Sequence, residues 1–232
     1  MPKIIGYIHI CQKPGWERAF EMLYKSLMES GLYEATDEIR LGVLTDDEII
    51  THHAFSMDKF KIVYTGKTVE YERPTLLHMR SQSESESCYY WYLHSKGLRH
   101  FGTSTEQPVL DWINCMLYWN VNKWRNAVKI LDDYDTYGIL LNGVPHYSGN
   151  FWWARSQHVK RLDTHIPSYY TAPEDYICTK KPKMFNAYSV VPFQWYKTLI
   201  PASSYNTLEV VEPKRSFPTV AVRRKVFGLG LR

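Results

Sequence analysis

The sequence predicts a single α/β domain, a mostly parallel mixed sheet with helices on both faces. Three observations predict it. Runs such as KIIGYIHI (3–10) and CYYWYLHS (88–95) are apolar along nearly their whole length, as strands covered on both faces are. Stretches with apolar residues at helical spacing alternate with them. No Pro-, Gly- or Ser-rich linker divides the 232 residues.

The elements follow in order. KIIGYIHI runs into a Gln-Lys-Pro-Gly turn and is the first strand. WERAFEMLYKSLMES (16–30) carries Trp16, Phe20, Leu23, Tyr24 and Leu27 on one helical face, with Gly31 as its stop. EIRLGVL (38–44) and KFKIVYTG (59–66) are the second and third strands. ERPTLLHMRSQSES (72–85) is a helix with Pro74 in its first turn. CYYWYLHS is the fourth strand. PVLDWINCMLYWNVNKWRNAVKIL (108–131) is the longest helix, its stripe running from Val109 to Leu131. TYGILL (136–141) is a strand. FWWA (151–154) has neither strand alternation nor helical spacing, so it reads as a short strand with both faces covered, entered through Gly149. A short helix at 173–181 and a last strand near 185–191 complete the pattern.

Composition narrows the class. At 44% hydrophobic and 22% charged the chain is ordinary globular material. Its 15% aromatic content suits a sugar- or base-binding cleft, and equally an aromatic core. The net charge of +4 is mild and no basic stripe runs along a helix, which argues against nucleic acid. Residues 1–200 are expected to form the domain. Residues 201–232 form a basic extension, packed on it or trailing from it, that could meet an anionic membrane surface. Cys11, Cys88, Cys115 and Cys178 include no CxxC pair, so neither a zinc knuckle nor a disulfide framework is expected. No charged-then-apolar leader and no apolar run of about 18 residues is present, and a cytoplasmic setting is the expectation.

Ligands of such sheets bind beyond the carboxyl ends of the strands. His9, Cys11, Gln12 and Lys13 follow the first strand, Thr45, Asp46 and Asp47 the second, Tyr64, Thr65 and Lys67 the third, and LHSKG (93–97) the fourth. Neither GxGxxG nor GxxxxGK[ST] occurs, against a dinucleotide fold or a P-loop. Lys96 suits a phosphate, although a turn with a solvated lysine accounts for it too. In TAPEDYICTK (171–180), Thr171 and Glu174 stand at capping-box spacing, leaving Asp175 as either a helix-dipole partner or a general base. LTDDE (44–48) could hold a divalent cation through Asp46 or Asp47, while LDDYD (131–135) reads as a turn.

The combination YYWYLHSKG…DWINCMLYW…YGILLNGVPHYSGNFWWARSQHVKRL…APED resembles a family of small GT-A-type glycosyltransferase-like proteins of bacteria and large DNA viruses. The likeness spans about residues 3–190 in element order, and LHSKG and HYSGNFWWA are its specific parts. It implies a GT-A-like domain in carbohydrate biosynthesis, with a UDP- or GDP-sugar donor over the first half of the sheet and a carbohydrate acceptor at the second. The resemblance places His9, Tyr64, Thr65, His94, Ser95 and Lys96 at the donor. It has Gly149 admit a sugar closely and Asn150 bond its hydroxyls. Trp152 or Trp153 would stack on an acceptor ring, with Arg155 and Glu174 beside it, and Asp175 would be the base of an inverting transfer. This chain departs at the fourth strand, where His94-Ser95-Lys96 stands in place of the family's Asp-x-Asp. A requirement for Mn²⁺ or Mg²⁺, held by Asp46 or Asp47, is therefore open. The alternative reading is a binding module for nucleotide sugars or carbohydrates that has lost transfer chemistry.

Overall fold

The computed structural model describes residues 2–143, 145–190 and 194–208. Among them, β1 (Lys3–Cys11), β2 (Glu38–Leu44), β3 (Phe60–Gly66), β4 (Cys88–His94), β5 (Thr136–Gly138), β6 (Trp152–Arg155) and β7 (Met184–Asn186) form one sheet in the order β3-β2-β1-β4-β6-β5-β7. β1, β2, β3 and β4 are mutually parallel, as are β5 and β7. β6 runs antiparallel to both of its neighbours. The α/β class and the mixed sheet are those expected from the apolar runs.

Two helical layers cover the sheet. On one face α1 (Trp16–Ser30), α4 (Glu106–Leu117) and α5 (Trp124–Ile130) pack on Ile4, Ile8, Ile10, Trp91, Leu93 and Trp153. On the other, α3 (Arg73–Gln82), α6 (Ser156–Val159) and α7 (Ala172–Tyr176) pack on Ile5, Tyr7, Tyr90, Tyr92, Trp152 and Ala154. A one-turn helix α2 (Leu32–Ala35) follows α1 across Gly31, whose φ of 72° is the left-handed stop. This layering explains FWWA. Trp152 and Trp153 point to opposite faces, as neighbours in a strand do, and each is buried in a different layer.

The single helix expected over 108–131 is interrupted. Residues 118–122 form a wider turn, in which Lys123 N donates to Tyr118 O at 2.9 Å. Buried Asn120 causes part of this. Its side-chain amide donates to Met116 O at 3.0 Å, competing with the helical ladder. The carbonyls thus released take outside donors: Tyr137 OH to Trp119 O at 3.2 Å, and Trp153 Nε1 to Asn120 O at 2.8 Å.

Three other expectations shift. The strand at 136–141 stops at Gly138, because Leu140 turns to φ 55° and starts a tight hairpin. The helix expected at 173–181 covers only Ala172–Tyr176. Thr171 makes no side-chain cap there, so the capping box with Glu174 does not form. Thr171 contributes its backbone carbonyl instead, to Glu174 N at 2.9 Å.

Near the C-terminus, Tyr205 is buried against Tyr118 and Tyr188, with ring centroids 5.1 and 6.0 Å away. The basic segment 211–232 lies outside the described residues. All four cysteines are free. Among the described residues no helix is long and apolar enough to cross a membrane.

Candidate functional site

The carboxyl ends of β1 and β4 bring His9 and His94 into register side by side. Both are buried. Gly42 of β2 is the next residue in that row, and a Cβ there would sit 1.9 Å from Thr75 Oγ1. A glycine is needed at this point for α3 to set Thr75 against His9, where Oγ1 lies 3.0 Å from Nδ1. Burial lowers the His9 pKa to about 4, opposed by the Glu72 charge. Burial, assisted by Lys96, lowers His94 to about 4 as well.

Glu72, the residue before α3, is the hub of the cluster. Its Oε2 accepts from Tyr92 OH at 2.7 Å and from Asn150 Nδ2 at 2.5 Å. Its Oε1 lies 3.7 Å from His94 Nδ1. The other His94 nitrogen, Nε2, sits 2.9 Å from Gly149 O. Asn150 has φ 58° and is fully buried, and its Oδ1 accepts from Trp152 Nε1 at 2.8 Å. Asparagine tolerates this left-handed backbone better than most residues. These bonds join β4, β6 and the start of α3 into one polar knot.

Lys96 extends from this knot. It is partly buried, and its ammonium lies 4.2 Å from the Trp112 ring centroid. Burial lowers its pKa, while the Glu174 and Glu72 charges oppose that. Among the described residues its ammonium has no hydrogen-bond or ion-pair partner.

The hairpin between β5 and β6 brings His146 to the start of α7. His146 Nδ1 is 3.4 Å from Asp175 Oδ1 and Nε2 is 4.0 Å from Glu174 Oε2. Nδ1 is buried and has no hydrogen bond of its own. Asn142 Nδ2 lies 2.7 Å from Nε2. Tyr169 OH donates to Asp175 Oδ2 at 3.2 Å. Asp175 thus lies between the His146 imidazole and the Tyr169 phenol, which donates to it.

The residues expected at the site divide. Glu174 and Asp175 both face His146, and the Glu174 charge acts on Lys96 and on His94. Tyr64 is partly exposed on the edge strand and donates to Glu70 Oε2 at 2.6 Å, and Thr65 is exposed beside it. Others are buried or engaged with partners inside the protein. His9 is covered by Thr75. The Ser95 hydroxyl accepts from Cys11 N at 2.9 Å and ties β4 to β1. Gly149 does admit a close neighbour, but that neighbour is Met116, whose Sδ would lie 2.3 Å from an added Cβ. Asn150 uses its amide on Glu72 and Trp152. Trp152 and Trp153 are 1% and 0% exposed, so neither offers a ring face to a sugar. Arg155 lies at the opposite end of the sheet, paired in register with Tyr89 near the start of β4, and bonds the carbonyls of Leu131 and Asp132.

Asp46 and Asp47 lie in the loop after β2. Asp46 is occupied by Thr68: Oδ1 accepts from its N at 3.1 Å and Oδ2 from its Oγ1 at 2.5 Å. Those bonds lower the Asp46 pKa. Asp47 is exposed. Among the described residues no three His, Cys, Asp or Glu side chains are gathered so as to hold a metal ion.

Glu72, His146 and Tyr169 are the functional candidates that pattern reading missed. Glu72 and Tyr169 sit among helix-start and turn residues. Only the His-Tyr pair ahead of Ser-Gly-Asn hinted at His146.

No protein-family model matches the chain, and no curated protein matches it. Among solved structures it is similar to a putative nucleotide-diphospho-sugar transferase from Desulfovibrio desulfuricans G20, over 80% of each chain, at a TM-score of 0.40 and 10% identity. That likeness is too remote to bring a function to this chain.

Proposed function

We propose that the chain is a glycosyltransferase that moves a sugar from a nucleotide-diphosphate sugar to a carbohydrate hydroxyl, with inversion. The observation that carries the reading is the His146 ring set between Asp175 and Glu174, together with an ammonium, Lys96, that rests on the Trp112 ring and has no hydrogen-bond or ion-pair partner among the described residues. Glu174 acts electrostatically on Lys96 and lies 4.0 Å from His146, which in turn contacts Asp175. A cation for a leaving diphosphate and a base for an attacking hydroxyl are the two groups such a transfer needs.

In the proposed step the acceptor oxygen attacks the anomeric carbon. The bond from that carbon to the diphosphate oxygen breaks, and the diphosphate leaves with the electron pair. Lys96 meets the negative charge it carries away. The acceptor proton passes to the Asp175–His146 pair. The His9–Thr75 and His94–Gly149 contacts lie below the ligand and keep the strand ends in place. The resemblance of LHSKG and HYSGNFWWA to glycosyltransferase-like sequences supports the same reading.

The test is a thermal-shift panel with UDP, GDP and CMP, followed by turnover of their sugars with and without EDTA. A melting-temperature rise with one nucleotide, and sugar release or transfer that survives EDTA, is the expected result. Binding without turnover for every donor and acceptor would point to a binding module. No shift with any nucleotide would remove the donor site from Lys96.

A further inference from the structure

Three exposed tyrosines lie on two adjoining loops, one of which leads into α7 and Asp175. Tyr71, Tyr169 and Tyr170 are 45%, 54% and 63% exposed. They come from two loops nearly a hundred residues apart in sequence. The Tyr71 and Tyr170 rings meet edge to face, with centroids 5.7 Å apart. Tyr169 OH donates to Asp175. Exposed aromatic rings grouped in one place mark a binding surface more often than rings scattered singly do.

The two loops are fastened to each other rather than merely adjacent. Arg73 Nε donates to Pro167 O at 2.9 Å and Nη2 to Tyr169 O at 2.8 Å, while its guanidinium lies 5.6 Å from the Tyr71 ring centroid. Tyr71 itself has φ 52° and ψ −149°, a region that side chains other than glycine avoid. A bulky ring is kept there although a glycine would relieve the backbone, which points to use of the ring.

We propose that Tyr71, Tyr169 and Tyr170 form the platform that receives a carbohydrate, resting on the reading that Asp175 serves as base. Flat phenol faces suit the apolar C–H side of a pyranose, and their hydroxyls suit its rim. Tyr169, the neighbour of Tyr170 in sequence, ties this surface to the Asp175 carboxylate. Trp152 and Trp153 are sealed in the two core layers, so the aromatic contact moves to these tyrosines.

The experiment reads carbohydrate binding without nucleotide and without turnover. Hexasaccharides of glucose, N-acetylglucosamine, mannose and galactose are titrated into the full chain by calorimetry. The wild type should bind at least one, and Tyr170→Ala should weaken that binding by about tenfold. Tyr170→Phe should keep most of it. Tyr71→Gly should also weaken binding while the melting temperature holds or rises, which separates loss of the ring from loss of the fold. Equal affinity in wild type, Tyr170→Ala and Tyr71→Gly overturns the platform, and so does a wild type that binds none of the four. The transferase reading fails separately, by absent nucleotide shifts and turnover in the same preparations.

Discussion

His146 Nδ1 lies 3.4 Å from Asp175 Oδ1, across a hairpin tip and the first turn of α7. An imidazole beside a carboxylate can share the proton that a general base removes.

Asp175→Asn should lower turnover by about 10²–10⁴-fold, because an amide cannot take the acceptor proton. His146→Gln should lower it too. If the two act as one unit, the double variant will be little slower than the slower single variant. Steady-state kcat for the three variants, with nucleotide Kd alongside, checks this. Normal kcat in Asp175→Asn removes the base assignment.

Lys96→Ala should abolish most of the nucleotide stabilisation. A ligand at 100 times its Kd stabilises the fold by about 2.7 kcal/mol, so the loss is easily read in a melt. Lys96→Arg keeps the charge but replaces a compact ammonium with a planar fork beside Trp112, and should recover part of the shift. A UDP or GDP shift unchanged in Lys96→Ala would show that this ammonium does not meet the phosphates.

Glu72→Gln tests the polar knot. Tyr92 OH and Asn150 Nδ2 both donate to one oxygen, Oε2, so a glutamine carbonyl placed there accepts from both, while its NH₂ takes the place of Oε1 opposite His94 Nδ1. Glu72→Gln should therefore change stability little, by less than the roughly 1–3 kcal/mol of a buried donor left unsatisfied. Glu72→Ala should cost more, since both donors lose their acceptor. Urea denaturation of the two variants gives the order, and equal stability of all three proteins would show that the knot is not held through Glu72.

Much of the scaffold was legible in the sequence, and little of the site. β1, β2 and β4 are apolar runs bounded by turn residues, the pattern that strands buried on both faces of a parallel sheet demand, while β3 is the largely exposed edge strand. The double burial of FWWA followed from its lack of alternation, but the ligand contact suggested for its tryptophans did not, since a ring can face a core layer as well as a sugar. The break at 118–122 was hidden because Tyr118, Trp119 and Val121 continue an apolar pattern. What interrupts it is the Asn120 amide, together with donors from β5 and β6. Glu72, Tyr92, His94 and Asn150 meet through pairings separated by 20–78 residues. His146 meets Asp175 through the packing of a hairpin on α7. Such constellations leave no local period to read.

The acid limb of stability should depend on His9. Its pKa is 6.5 when unperturbed and about 4 in the fold, lowered by burial, with Glu72 opposing and His94 assisting. Between those values the unfolded chain holds a proton that the folded chain does not, so stability falls as the pH falls. The contribution is about 3 kcal/mol, fully present above pH 6.5 and gone below about pH 4. His94 titrates in the same direction and remains as a background. His9→Asn preserves a polar atom near the Nδ1 position for Thr75 and removes the ionisation. Its stability, measured by urea denaturation from pH 7.5 to pH 4.5, should therefore decline less steeply than that of the wild type. The two curves should converge as the pH falls. Curves that stay parallel over the whole range would mean that His9 takes up its proton in the folded chain near its ordinary value, and that the row of buried histidines at the strand ends is open to water.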